Sequence, residues 1–299
     1  MSERNTVLIT GGSGGVGGAL TKELATAGWR VFATARDPHA IPQPRRGDGE
    51  VIPLALELTD AASLARVAAA VRERTGEQGL DGLVNNAGVI VQGPLELVPV
   101  AELRRQFEVN VIGQMAVTQA VLPLLRAARG RIVNVGAPTG RVAIPVMGPI
   151  GASKAALHSL NDALRMELRH QGVAVSLVVP GALETEIFAK ASAAMKAAGP
   201  ASREAEELYA SLVGAVAERQ AKMKTFPVDA TVKAIRRALS DRAPKARYTV
   251  GSDARRLELV RRLPTVLRDR ALMGAMGVSR EAFAEPAAEP HDGLTAGTA

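Results

Sequence analysis

The stretch from Val7 to Gly17, V-L-I-T-G-G-S-G-G-V-G, decides the fold of this chain. Its apolar run leads into a cluster of glycines, and an amphipathic segment from Ala19 to Ala27 follows directly. This order predicts a buried strand, a tight turn and the start of a helix. Gly11 permits the sharp turn, and Gly15 and Gly17 let the backbone approach a pyrophosphate at the helix N-terminus. The stretch therefore predicts a dinucleotide-binding site.

The composition narrows the class of protein. With 299 residues and 47% apolar side chains, the chain is long enough to build a sizeable core, in one large α/β domain or two smaller ones. It has no cysteine, which excludes disulfides and thiolate catalysis and fits a reducing cytosol. No signal peptide and no run of eighteen apolar residues is present. We therefore expect a cytoplasmic protein with no membrane partner and no metal site.

Positive charge is concentrated in one late segment of the chain. Residues 233–270 hold twelve lysines and arginines against four acidic residues, a net charge of +8, whereas the whole chain carries +7. Two interpretations stay open: a solvated helical surface, or a docking patch for an anionic partner such as a carrier protein or a phosphorylated substrate. Nucleic acid is not expected, because almost no aromatic side chains are present there to stack on bases.

Strand-like and helix-like segments alternate along most of the sequence. After the first strand and helix, strands are predicted at 30–34, 51–58, 80–84, 130–135, 173–179 and 247–251, and helices at 61–74, 97–125, 154–170 and 231–240. This alternation predicts a single α/β domain over residues 1–283, built on a doubly wound parallel sheet of the Rossmann type. Residues 187–225 are expected to form a helical lid over the substrate, and 284–299 a disordered tail.

Several motifs together resemble those of the short-chain dehydrogenase/reductase family. T-G-x-x-x-G-x-G begins at Thr10, N-N-A-G at Asn85 and P-G-x-x-x-T at Pro180, and the resemblance spans roughly residues 6–251. Members of that family transfer a hydride between a nicotinamide cofactor and a carbonyl or alcohol. The resemblance also implies a homodimer or homotetramer, formed through the helices near 97–125 and 154–170.

The resemblance implies a set of cofactor-binding residues. They are Thr10, Gly11, Ser13, Gly14, Gly15, Val16 and Gly17 in the glycine loop, Arg36, Glu57 and Leu58 after the next two strands, and Asn86, Ala87, Gly88, Lys154, Pro180, Gly181, Leu183 and Thr185. Arg36 decides the choice of cofactor, because a guanidinium suits the 2′-phosphate of NADP(H). An acidic residue, which would favour NAD(H), is absent from the neighbouring position, Ala35.

The catalytic segment departs from the family pattern. Members use a tyrosine as proton donor, a lysine four residues later that lowers its pKa, and a serine that orients the substrate oxygen. Here the segment reads G-P-I-G-A-S-K, so Lys154 is present but Ile150 occupies the tyrosine position, and Ala137 occupies the serine position. The tyrosines of the chain, Tyr209 and Tyr248, are too far away for a shifted alignment to restore the motif. Ordinary ketone reduction is therefore expected to be very weak.

Other residues are candidates for the remaining chemistry. The resemblance implies that Asn110, in F-E-V-N-V, distorts its helix and positions a proton-relay water. Glu184 and Glu186 could stabilise a cationic substrate or supply a proton, as could Tyr209 in the lid. Thr139 either replaces part of the serine function or only forms a turn. The predicted pocket suits a flat hydrophobic substrate, and its residues are Ala137, Val142, Ile144, Met147 and Ile150.

Three functions remain open from the sequence. The first is an NADP(H)-dependent oxidoreductase that reduces an iminium or an activated alkene in a hydrophobic substrate. The second is a redox-neutral cyclase or isomerase that holds one conformer of its substrate in an apolar site. The third is a non-catalytic protein, either a cofactor-binding protein or the partner of a genuine reductase. The fold alone does not separate them, since one fold hosts many functions.

Overall fold

A computed structural model of the protein describes residues 5–44, 49–185, 187 and 203–278. The predicted tail at 284–299, Glu186 and the first half of the predicted lid lie outside these residues.

One parallel sheet runs through the described part of the chain. Its strands are β1 (Thr6–Thr10), β2 (Arg30–Ala35), β3 (Glu50–Ala55), β4 (Gly82–Asn85), β5 (Arg131–Val135), β6 (Ala174–Pro180) and β7 (Arg247–Val250). They lie side by side in the order β3-β2-β1-β4-β5-β6-β7, so the winding of the chain reverses between β1 and β4. Ligands of such sheets bind at the carboxyl ends of the strands, next to this reversal. The predicted doubly wound α/β fold is confirmed.

Helices cover both faces of the sheet. They are α1 (Gly15–Thr26), α2 (Ala61–Thr75), α3 (Val100–Phe107), α4 (Gln114–Ala128), α5 (Gly148–Glu167), α6 (Arg203–Ala221), α7 (Asp229–Ser240), α8 (Ser252–Val260) and α9 (Thr265–Ala275). Two boundaries and two helices differ from the sequence expectation. Strand β3 ends at Ala55 rather than Leu58, α5 begins at Gly148 rather than Lys154, and α8 and α9 were not predicted.

The core has two halves, because alternate residues of a strand point to opposite faces of the sheet. Val7 and Ile9 of β1 are fully buried on one face, where they pack in a cluster with Leu20 and Leu24 of α1 and Ile235 of α7. Leu8 points to the other face. There it belongs to a second cluster, whose helical members include Val71, Val121, Leu125 and Leu164. Near-continuous apolar strands, covered on both sides, are the pattern expected of a parallel sheet.

The helix predicted at 97–125 is interrupted. Between α3 and α4, residues Glu108–Gly113 form a π-helical turn that contains the fully buried Asn110. The whole stretch Val100–Ala128 is long and apolar enough to cross a membrane by length and composition, a test that the core helices of soluble proteins also pass. Its Val117, Val121 and Leu125 are buried in the core against the sheet.

Candidate functional site

The glycine loop between β1 and α1 leaves backbone groups open to a ligand. Gly11 adopts a φ of +69°, which a side chain would disfavour. A Cβ at Gly17 would collide with the carbonyl oxygen of Gly11, and one at Gly15 would lie 2.7 Å from the side chain of Thr185. The N-cap residue of α1, Gly14, offers no capping side chain, so the first N–H groups of the helix are left for an anion.

Hydrogen bonds fix this loop to the end of β4. The hydroxyl of Thr10 accepts the backbone N–H groups of Asn86 and Ala87, both at 3.0 Å. In return, the amide of Asn86 donates to the carbonyl oxygens of Thr10 at 3.0 Å and Gly11 at 3.2 Å. The T-G and N-N-A-G motifs are therefore parts of one structure at the reversal point of the sheet. Gly88 follows, where a Cβ would lie 3.1 Å from the amide oxygen of Asn110.

A chain of buried asparagines holds the neighbouring strands. Asn85 donates 2.9 Å bonds to Thr118 of α4 and to Asn134 of β5, and Asn134 donates a 3.0 Å bond to Asn161 of α5. Each of these side chains is buried, so each bond replaces hydration that the folded protein has removed.

Arg36 and Glu57 lie at the carboxyl ends of β2 and β3. Arg36 is exposed, and within the described part of the chain its guanidinium forms no ion pair, so it is free to bind an anion. Glu57 is also exposed, but its carboxylate accepts hydrogen bonds from the backbone N–H and hydroxyl of Thr59, at 3.3 and 3.1 Å. Leu58 is buried beside them.

The loop after β6 is held by a residue that the sequence analysis missed. The carboxylate of Asp253, in the first turn of α8, accepts the backbone N–H of Ala182 at 2.7 Å. A Cβ at Gly181 would collide with the same carboxylate, which explains the glycine in P-G-x-x-x-T. Glu184 is then fixed by its backbone N–H, which donates to Phe226 at 3.0 Å. No sequence motif predicts this role of Asp253, because its bond to Ala182 joins segments that are far apart in the chain.

The lysine of the catalytic segment is buried. Lys154 donates from Nζ to the carbonyl oxygen of Val135 at 2.7 Å, and burial lowers the pKa of its ammonium from 10.5 to about 8. Ile150 lies one helical turn before it on α5 and is also buried, while Ala137 follows β5 and is half-buried. The apolar side chains at positions 137 and 150 therefore flank a buried ammonium.

A buried polar cluster joins this segment to the loop after β4. Gln106, Asn110 and Ser153 are all fully buried. Gln106 donates to Ser153 at 3.1 Å and to the carbonyl oxygen of Val89 at 2.9 Å, and Asn110 donates to that same carbonyl at 2.8 Å. Ser153 donates to the carbonyl oxygen of Ile150 at 2.9 Å. Asn110 thus binds backbone through its side chain, and the sequence analysis did not single out Gln106 or Ser153, which join α3 to α5 in this cluster.

His158 explains one of the departures from the family motif. The family's I-V-N-V-S-S reads I-V-N-V-G-A here, and a Cβ at Gly136 would collide with Nε2 of the buried His158. Neither ring nitrogen has a hydrogen-bond partner among the described residues. Burial, and then the charge of Arg247, lower the pKa of His158 to about 3, so its ring is neutral at neutral pH. The imidazole fills the space that a side chain at position 136 would need.

The predicted pocket residues differ in exposure. Val142 and Ile150 are buried, whereas Ala137, Ile144 and Met147 are half-buried. Within the described residues, a cleft of about 290 Å³ lies between the loop after β6 and the end of α6, lined by Leu183, Glu184, Thr185, Gln220, Met223 and Thr225. Glu184 is exposed there and is the one charged residue in this lining.

The two remaining candidates are Tyr209, which is hydrogen-bonded to Glu96, and Thr139, whose hydroxyl is buried. Tyr209 of α6 donates a 2.9 Å hydrogen bond to Glu96, which raises the pKa of its phenol. Its hydroxyl therefore fastens α6 to the loop after β4. The hydroxyl of Thr139 is buried and has no hydrogen-bond partner in the described structure.

Comparison with known proteins identifies the family. A family model described as short chain dehydrogenase matches residues 5–196, more than half of the chain. The chain belongs to this oxidoreductase family. An NADPH-dependent 3-dehydrocapnine reductase from Ornithobacterium rhinotracheale is 34% identical over 251 residues, 81% of this chain and 87% of that protein.

Two further relatives support the family assignment. A 3-amino-tetrahydro-pyrrolizinone reductase from Xenorhabdus hominickii is 39% identical over 187 residues, which cover 62% of this chain and 64% of that protein. A short chain dehydrogenase from Burkholderia cenocepacia J2315, solved in complex with NADP, superposes with a TM-score of 0.68 at 25% identity. That superposition covers 92% of this chain and 98% of the other.

The buried lysine gives a testable dependence of stability on pH. Lys154 binds its proton more weakly in the folded chain (pKa about 8) than in the unfolded chain (10.5). The unfolding free energy therefore increases as the pH is raised from about 8 to 10.5. We expect Lys154→Met to raise the unfolding free energy by about 2 kcal/mol at neutral pH, because it removes a desolvated charge. Denaturant unfolding across this pH range measures the effect.

The exposed Lys233 of α7 supplies the control. Lys233→Met should leave both the stability and its pH dependence unchanged. If Lys154→Met and the parent protein have the same unfolding free energy at neutral pH, the buried charge of Lys154 does not destabilise the fold and the prediction is wrong.

Proposed function

We propose that the chain is an NADP(H)-dependent reductase that works without the family's tyrosine and serine. One observation carries the proposal: Ile150 and Ala137 occupy those positions beside a buried Lys154, in an otherwise intact scaffold. The glycine loop, the N-N-A-G hydrogen bonds and the P-G loop keep the geometry that a dinucleotide requires. The cofactor-binding motifs are therefore retained, and the changes fall on the tyrosine and serine positions and on the neighbouring Gly136.

The residues of the structure fit NADP(H). Gly15 and Gly17 leave room that a Cβ would fill, and the uncapped start of α1 suits a pyrophosphate. The free guanidinium of Arg36 suits a 2′-phosphate. The resemblance to the family implies that Lys154 would contact the ribose and Thr185 the carboxamide or phosphates. The NADP bound to the Burkholderia cenocepacia dehydrogenase supports this choice of cofactor. When bound, the cofactor supplies a hydride.

The chemistry of the substrate follows from the missing proton donor. A ketone needs a proton on its oxygen as it is reduced, and in this chain neither position 137 nor 150 has a hydroxyl to give one. An iminium needs none, because its nitrogen already carries the positive charge. An activated alkene can take its proton from water. We infer that such a substrate, and an iminium first of all, is the one reduced.

Glu184 supports a cationic substrate. Its exposed carboxylate makes no ion pair within the described chain, and it lies on a cleft whose lining holds no positive side chain. Leu183 and Met223 give the same cleft apolar walls for a hydrophobic body. One relative supports a nitrogen-containing substrate. The protein from Xenorhabdus hominickii is named as a reductase of an amino-substituted pyrrolizinone.

Cofactor choice can be tested on Arg36. Arg36→Asp should weaken NADPH binding about 10- to 100-fold, because a charge-assisted contact with the 2′-phosphate is replaced by repulsion. NADH should bind equally well or better. Fluorescence titration of both nucleotides measures this. Arg169→Asp, an exposed charge reversal that follows α5, at the opposite edge of the sheet, should change neither titration. Unchanged NADPH affinity in Arg36→Asp would contradict the assignment.

Substrate class can be tested by following NADPH oxidation with cyclic hydrophobic iminium ions, enones and simple ketones. We expect kcat/KM for the best iminium to exceed that for ketones by at least about 10²-fold, since ketones depend on the missing acid. Glu184→Gln should raise KM for the iminium by roughly 2- to 5-fold, as for an exposed ion pair. Glu206→Gln on α6 is the matched control.

Two outcomes of this substrate experiment would overturn the proposal. Equal turnover of ketones and iminium ions would show that the proton donor has been replaced. A complete lack of NADPH oxidation would favour the redox-neutral enzyme or the non-catalytic protein.

Restoring the two hydroxyls is a direct test of what was lost. In the double variant Ala137→Ser, Ile150→Tyr, the new phenol would lie one helical turn from Lys154, whose charge lowers its pKa. We expect ketone reduction to rise by about 10²- to 10⁴-fold. The pair Ala137→Ser, Ile150→Phe adds the same bulk without the phenolic hydroxyl and should stay inactive. If the double variant folds and binds NADPH but is as inactive as this control, the loss of the two hydroxyls does not explain the weak ketone reduction that we expect.

A further inference from the structure

The turn between α8 and α9 exposes large apolar side chains. Residues 261–267, R-R-L-P-T-V-L, are exposed without interruption. Four apolar side chains in and next to this turn have high exposed fractions: Leu259 64%, Leu263 40%, Val266 62% and Leu267 51%. We call residues 255–270 the α8–α9 tip. An exposed apolar cluster of this kind, rimmed by charged residues, marks an interaction surface.

The charges of the α8–α9 tip are predominantly positive and partly unpaired. Arg261 pairs with Glu258 at 3.3 Å and Arg268 with Asp269 at 3.2 Å. The other arginines are exposed and have no ion-pair partner in the described chain; they are Arg255, Arg256, Arg262 and Arg270. Asp253, an acidic residue at the start of α8, lies outside the tip. Its carboxylate accepts the backbone N–H of Ala182 and forms no ion pair with these arginines in the described chain.

We propose that the α8–α9 tip binds the surface of an anionic lipid bilayer. Leucine and valine side chains flanked by arginines are the pattern of segments that lie in the membrane interface, where the apolar groups enter the acyl boundary and the cations meet lipid phosphates. A second copy of the chain is a poor occupant. A two-fold contact would bring the four unpaired arginines of one copy against those of the other.

This peripheral contact is different from a membrane span. The sequence expectation of no membrane partner rested on the lack of a signal peptide and of a long apolar run, and neither bears on an interfacial turn. The exposed turn at 261–267 within the tip lies at the far end of α8 from Asp253, which holds the loop after β6. A nine-residue helix spans about 14 Å, so a membrane at the tip would be close to the candidate site.

The proposal is tested by sedimentation of the full chain with phosphatidylcholine vesicles, with and without phosphatidylglycerol. The parent protein should bind the vesicles that contain phosphatidylglycerol and lose that binding in high salt. Val266→Ser, Leu267→Ser should weaken binding about tenfold or more. Arg256→Gln, Arg262→Gln should weaken it roughly 25-fold, at about fivefold for each arginine.

Matched control variants distinguish membrane binding by the tip from general electrostatic attraction and from effects on subunit contacts. Lys233→Gln, Arg242→Gln removes two exposed charges outside the tip that have no ion-pair partner among the described residues. This variant should keep full binding, as should Met166→Ser on α5. Equal loss in these controls, binding without phosphatidylglycerol, or no binding of the parent protein would overturn the proposal. So would a change of oligomeric state in Val266→Ser, Leu267→Ser by size exclusion. Because no readout uses turnover, failure here is independent of the proposed reductase activity.

Discussion

The hydrogen bonds between the ends of β1 and β4 are the constraint on which the candidate site depends. The hydroxyl of Thr10 accepts two backbone N–H groups from the N-N-A-G segment, and Asn86 donates back to the glycine loop. These bonds span the point where the sheet winding reverses, next to which ligands of such sheets bind. They hold the glycine loop and the N-N-A-G segment in a fixed position relative to each other. The position of the candidate dinucleotide site therefore depends on the side chains of Thr10 and Asn86.

Lys154 is a buried charge in the candidate site. Within the described part of the chain its ammonium donates a hydrogen bond to the carbonyl oxygen of Val135, and burial lowers its pKa to about 8. An apolar side chain would fill the same space at lower free energy. Without the tyrosine, the lysine has no phenol to activate. We propose that its remaining role is to bind the cofactor, which accords with a reductase better than with a decayed scaffold.

The sequence predicted the fold more completely than the site. The strand, glycine turn and helix at 7–17, and the alternation that follows, depend on local patterns, and the structure confirms them. The distortion of the helix at Asn110 was expected only from the family resemblance, whereas the Gln106–Ser153 bond and the bond from Ala182 to Asp253 join residues far apart in the chain. Periodicity does not report such contacts. Helices α8 and α9 were missed for a related reason, because their exposed leucines face away from the core.

The close fit of His158 against Gly136 limits how this chain can change. A side chain at position 136 collides with the imidazole, so a serine cannot return there while the histidine stays. Replacement of the histidine alone would leave a cavity beside the strand. The two positions are therefore coupled in evolution: the side chain that position 136 accepts depends on the one at position 158, although neither residue is a candidate for contact with the substrate.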